Sequence, residues 1–209
     1  MKRPSVPDLE TILGRRLADA RRVAIVGIGD ELSRHDRLGI LAARDLESLR
    51  LPAVKVFIAG TLPESFTGPI RRWRPGHVVL IDAADMGTRP GTVAVIGAQD
   101  VRGTRLSTHA LPLTFVIRYL ESDVGTPVTL IGIQPDLKAK GPASTAAEIA
   151  GLTHLVATLH RLLAPLGSRG FRTKASTRGL VTRRSASRAR LGVSTGRRSR
   201  PGSRRPRRA

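Results

Sequence analysis

The segment Val78-Val79-Leu80-Ile81-Asp82-Ala83-Ala84-Asp85-Met86-Gly87 constrains the fold more than any other. Its apolar run has the length of a strand and no polar interruption, so both faces must be covered, as in a parallel sheet layered between helices. The run then delivers two carboxylates to its C-terminal end and stops in a glycine-containing turn. Ligands of open α/β sheets bind beyond the carboxyl ends of the strands, which is where Asp82 and Asp85 fall. A carboxylate in that place is costly to desolvate unless a metal, an arginine or helix amides meet it. On the residues alone, a functional and a structural reading of the pair remain open.

The rest of the chain supplies matching elements. Residues 22–27, 53–58, 92–96 and 128–133 read as further strands, and the helical spacing of apolar residues predicts helices over 7–20, 38–51, from 109 onward, and 145–163, with a short one after Pro63. Asp8 and the early proline suit a helix start, and Pro112 falls in a first turn, where proline is tolerated. The final helix is expected to bury Ile149, Leu152, Leu155, Val156, Leu159 and Leu162. Only about ten residues separate the third and fourth strands, too few for a helical crossover, which makes the fourth antiparallel. The predicted fold is an α/β protein, a three-layer α/β/α sandwich around a five-stranded, mostly parallel, twisted sheet with one antiparallel strand.

Charge divides the chain unevenly. Residues 167–209 hold fifteen of the 36 basic residues and no acid, while the remaining 166 residues hold 21 basic and 16 acidic ones. The formal charge of +20 therefore describes an appendage rather than the domain. The expected organisation is a leading amphipathic helix over 1–20, an α/β domain over 21–166, and a disordered arginine-rich tail over 167–209 that cannot bury enough apolar surface to offset chain entropy. Such a tail could make weak, salt-sensitive contacts with nucleic acid or an acidic partner. The absence of cysteine excludes thiolate metal sites, disulfides and cysteine nucleophiles. No apolar run approaches the length of a membrane span and no apolar signal core opens the chain, so the expected location is the cytoplasm.

Three further places carry candidate chemistry. Gly27-Ile28-Gly29 after the first strand begins a dinucleotide fingerprint, but Leu32 occupies the third glycine position, and a plain tight turn accounts for the pair. Asp36, in Ser33-Arg34-His35-Asp36-Arg37, precedes a helix and suits an N-cap as well as a ligand; His35 and the arginines read as solvated. His109 opens a helix, where a capping or core role competes with metal ligation. One imidazole with two carboxylates would suit a divalent transition metal with positions left open for another molecule's ligands.

Taken together, several of these stretches resemble the maturation endopeptidases of nickel-iron hydrogenases. The matching residues are Gly27-Ile28-Gly29-Asp30-Glu31-Leu32 with Asp36 and Gly39, Pro63-Glu64, and Leu80 to Gly87 with Pro90-Gly91. Ser107-Thr108-His109 with Pro112, and Leu130 to Asp136, continue the series in the family's order across roughly residues 22–163. The resemblance implies a compact α/β/α domain that removes a C-terminal extension from a hydrogenase large-subunit precursor after nickel has been inserted. It implies that Asp36, Asp82 and His109 contact that nickel, with Asp85, Gly87, Glu64, Gly29 and Asp30 in support. No cofactor of the enzyme's own is expected, since the nickel travels with the substrate.

The chain departs from the family pattern at three points. Arg34-His35-Asp36-Arg37 stands where Gly-Asp-Asp-Gly is usual, Asp30 replaces an asparagine, and Phe57-Ile58-Ala59-Gly60 lacks the acid that commonly ends strand two. Two added cations beside Asp36 would lower its affinity for a metal. Alternatives to cleavage are a homologue that binds the precursor without cutting it, or a protein that contacts nucleic acid through its tail.

Overall fold

The sheet has the order β2-β1-β3-β5-β4, with β4 alone antiparallel. Its strands are β1 (Val23–Ile28), β2 (Val54–Gly60), β3 (His77–Ala83), β4 (Val93–Ile96) and β5 (Val128–Ile133). The helices are α1 (Leu9–Leu17), α2 (Leu38–Ser48), α3 (Thr67–Trp73), α4 (Ala110–Arg118), α5 (Ala146–Leu163) and α6 (Leu166–Arg169). A 3-10 turn over Pro63–Phe66 precedes α3, and a π turn over Tyr119–Asp123 follows α4. This computed structural model describes residues 8–97 and 110–169, all within one unit spanning Met1–Thr173; a second unit, Lys174–Ala209, lies outside the described residues.

The predicted architecture is the observed one, antiparallel fourth strand included. β1, β3 and β5 are buried along their whole length, so the unbroken apolar runs mark strands covered on both faces. Alternation divides their side chains between two cores. Val23, Ile25, Val79, Ile81, Ile131 and Ile133 pack with α1, α2 and α5, whereas Ala24, Val26, Val78, Leu80 and Leu130 pack with α3 and α4. The first crossover from β1 runs outward to β2, and the second steps back across β1 to β3. Keeping both right-handed puts α2 and α3 on opposite faces.

Several local expectations need correction. β3 extends to Ala83, so Asp82 lies inside the strand and pairs in register with Gly132 of β5 rather than standing beyond its end. Ile149 is 53 % exposed, and its neighbour Glu148 takes the buried position, because the first turn of α5 is turned by a capping box in which Glu148 closes back onto Thr145. Leu163, rather than Leu162, ends the buried stripe. Residues 167–169, expected to open the disordered tail, lie in α6, anchored by buried Leu166; the rest of that expected segment, 170–209, lies outside the described residues.

At the amino edge of the sheet, His77 is buried and its Nε2 lies 2.8 Å from Thr129 Oγ1. Burial first, and the nearby Arg16 cation second, push its pKa down to about 4. The folded value lies below the unfolded one, so His77 leaves stability unchanged above about pH 6.5 and removes it as pH falls from there toward 4, where only the unfolded chain takes up the proton. The loss approaches roughly 3 kcal/mol at the bottom of that window. Denaturant unfolding at pH 7 and pH 4.5 should show a smaller pH penalty in His77→Gln than in the parent; equal penalties would contradict this account.

Candidate active site at the carboxyl edge of the sheet

In the strand order 2-1-3, successive connections leave β1 and β3 in opposite directions, which opens a crevice beyond their carboxyl ends. Both described carboxylates of the expected nickel-contacting set belong to this edge. Asp82 is carried by β3, and Asp36 by the loop between β1 and α2. Asp82 is 2 % exposed and shares its sheet face with Val78 and Leu80, the face covered by α4. Burying the four apolar residues before it contributes roughly 2 kcal/mol each, which holds the strand in place. His109 and the preceding Ser107-Thr108 lie outside the described residues; α4 begins at Ala110.

Glycines bring the Asp36 loop down onto the strand ends. A Cβ on Gly39, in the first turn of α2, would overlap the carbonyl oxygens of both Ile28 and Ile81, the latter immediately before Asp82. The absence of a side chain lets α2 start directly over β1 and β3. Alanine would improve helix propensity by about 1 kcal/mol, yet the clash with two backbone groups of the sheet should outweigh this and leave Gly39→Ala about 2 kcal/mol less stable. Chemical denaturation decides the point, since an equally stable variant would show that the contact is not tight. Gly29, at φ +131°, lies against the Asp36 carbonyl, again with no room for a side chain.

Asp36 does not cap α2. The N-cap position is Arg37, which makes no side-chain capping bond, and Asp36 Oδ2 instead accepts the backbone N–H of Asp30 at 3.0 Å. Asp30 Oδ1 in turn accepts from Leu32 N–H at 2.9 Å, so the expected support from Gly29 and Asp30 is the local scaffold of this loop. The surrounding basic residues are partly buried rather than freely solvated. The Arg34 side chain is 10 % exposed and donates to the carbonyl of Ala143, with Nη2 3.4 Å from Glu148 Oε2. Arg37 donates to Ser144 Oγ at 3.1 Å, and His35 Nδ1 is buried with no hydrogen bond. The arginines read as solvated because the groups that hold them are far off in sequence; their partners Glu148 and Ser144 lie more than a hundred residues away.

The second acid loop is held by Gln134, a residue quoted in the resemblance but given no role there. Its Oε1 accepts from Met86 N–H at 2.7 Å and Thr88 N–H at 3.2 Å, while its Nε2 donates to Asp85 Oδ1 at 3.2 Å. Asp85 Oδ1 also accepts from Gly87 N–H at 3.2 Å, and Gly87 turns at φ +65°. Asp85 and Gly87 therefore shape the turn behind Asp82. Glu64 is exposed on the 3-10 turn, where its carbonyl accepts from Thr67. β2 ends in Ala59-Gly60, and the Gly60 carbonyl accepts from Gly29 N–H at 3.0 Å.

Among the described residues, no three His, Cys, Asp or Glu side chains are grouped to hold a metal ion. No described helix is long and apolar enough to cross a membrane. A cavity of about 170 Å³, lined in part by Arg16, Ile96, Glu121 and Val128, opens at the amino end of β5, away from the acid-bearing edge.

Comparison with known proteins agrees with this fold. Residues 40–155 match the model of a family described as HycI, hydrogenase maturation protease. Over 111 residues the chain is 32 % identical to the hydrogenase 3 maturation protease of Escherichia coli K12, covering 53 % of this chain and 70 % of that one. The crystal structure of the [NiFe] hydrogenase maturation protease HycI from Thermococcus kodakarensis superposes with a TM-score of 0.64 at 28 % identity, over 73 % of this chain and 98 % of that one. The endopeptidase HybD from Escherichia coli, at 22 % identity, shares the fold with a TM-score of 0.55.

Proposed function

Because this chain belongs to the hydrogenase maturation protease family, we propose that it is an endopeptidase that removes the C-terminal extension of a nickel-iron hydrogenase large-subunit precursor once nickel has been inserted. The observation that carries this reading is the placement of a buried carboxylate, Asp82, and the Asp36 loop at the one sheet edge where the strand order opens a crevice. In this reading Asp36 and Asp82, with His109, contact nickel already held by the substrate. Carboxylates and an imidazole are fitting partners for a divalent transition metal, and a precursor without nickel offers no cation to offset their desolvation. Metal recognition and docking then become one event. The nickel is cargo of the substrate, and the enzyme supplies only side chains that complete its surroundings.

Intact mass measurement of a nickel-loaded precursor before and after incubation with the full chain tests the proposal. The expected result is a shortened product that depends on nickel in the precursor. Binding with no shortening, at concentrations where a proven relative cleaves fully, would replace it with a precursor-binding role, a reading to which the acid-free end of β2 lends some support.

A further inference from the structure

We propose that the Arg34–Glu148 ion pair is the positioning device of this site: it fixes the Asp36 loop to the β5–α5 connection, so that both acid-bearing loops hang from one frame, the segment from Gln134 to Glu148. The inference rests on the proposed endopeptidase reading for its functional consequence, but its structural content stands on the side chains. At one end of the segment, Gln134 bonds Asp85, Met86 and Thr88 of the second acid loop. At the other end lies Glu148, fully buried at 0 % exposure. Its Oε1 accepts from Asp136 N–H at 2.8 Å, and its Oε2 accepts from Thr145 N–H at 2.6 Å and from Thr145 Oγ1 at 3.1 Å. Arg34 brings the cation to this carboxylate and also reaches the Ala143 carbonyl, while Arg37 reaches Ser144.

Asp36 is thus bracketed by two arginines that both bond into the frame. This answers the electrostatic objection for Arg34, whereas Arg37 is held by the neutral Ser144 hydroxyl. The Arg34 charge faces a buried carboxylate in a poorly solvated place, where Coulomb attraction is strong, and is to that extent withdrawn from Asp36. It also stiffens the loop, which is tied by Asp36 to the Asp30 amide at its start and by Arg34 to a neighbouring element at its middle. Arg34 touches no reacting atom in this account and is a positioning residue.

The test compares the full-length parent with Arg34→Met, Arg34→Lys and the double variant Arg34→Met/Glu148→Gln, by amide hydrogen exchange over residues 30–37 and by steady-state cleavage of nickel-loaded precursor. Arg34→Met strands a buried carboxylate and should lose thermal stability; the double variant neutralises that carboxylate and should recover most of it. If the pair positions Asp36, exchange over 30–37 accelerates in both Met variants, and the precursor KM rises about tenfold in both, a coupling of about 1.4 kcal/mol. Arg34→Lys should restore part of both. A double variant with parental exchange and parental KM would overturn the proposal, because the pair would then serve stability alone. If the parent itself fails to cleave, the endopeptidase reading falls, and the exchange rates still decide whether Arg34 holds the loop.

Discussion

Asp82→Asn is expected to slow shortening of the nickel-loaded precursor by at least about thirtyfold while leaving the protein folded. Asparagine keeps the shape of the buried side chain and the pairing of β3 with β5, but removes the negative charge that a cation would meet at the carboxyl edge. Loss of one partner from a close, desolvated charge pair costs about 2–5 kcal/mol, which corresponds to a fall in cleavage efficiency of roughly thirtyfold to several thousandfold. Asparagine also keeps the side chain's volume and its hydrogen-bonding capacity, so the protein should remain folded, with a cooperative melting transition. Mass measurement of the precursor and a melting curve on the same preparation separate the two effects. Cleavage at the parental rate would remove Asp82 from the proposed contact set. His109→Ala should mimic the loss of cleavage.

Glu148→Ala should produce the largest fall in stability of any single substitution considered. It strands the Arg34 guanidinium in a nearly buried position and leaves the backbone N–H groups of Asp136 and Thr145 without their acceptor. It also removes half of the capping box that starts the longest helix of the domain. Breaking a buried ion pair from one side typically costs 3–5 kcal/mol, and a domain of this size shifts its melting midpoint by about 2–4 °C per kcal/mol, so a drop on the order of 10 °C is expected. Glu148→Gln, which keeps an acceptor for the amides, should lose about half as much. Equal, small effects of the two substitutions would mean that the carboxylate is better hydrated than its burial indicates.

These two residues also divide what could be read along the chain from what could not. The strand carrying Asp82 is legible because four consecutive apolar residues admit few environments, and because a gap of about ten residues before β4 forbids a helical crossover. Motifs that recur in order identify the family for the same reason that they are hard to see individually: each is a turn or strand end whose meaning depends on the others. Glu148, by contrast, stands in the first turn of an amphipathic helix, and nothing beside it in sequence marks it as buried. The helical spacing assigned that turn's buried place to Ile149, since helical periodicity ranks residues by apolarity and takes no account of a carboxylate needed by four donors.

By itself, the sequence determined the layered α/β architecture, the antiparallel fourth strand, the separation of a basic tail from a nearly balanced domain, and the candidacy of Asp36 and Asp82. Those properties follow from local periodicity, short connection lengths and composition, all of which act over a few residues. Only the tertiary structure decided that Gly39 seats α2 on the ends of β1 and β3, that Gln134 and Glu148 frame the two acid loops, and that Arg34 is an anchor rather than a solvated cation. The physical reason is distance along the chain. Arg34 and Glu148 are 114 residues apart, and the worth of a charge pair is set by separation and solvent exclusion, neither of which exists until the sheet has brought its loops together.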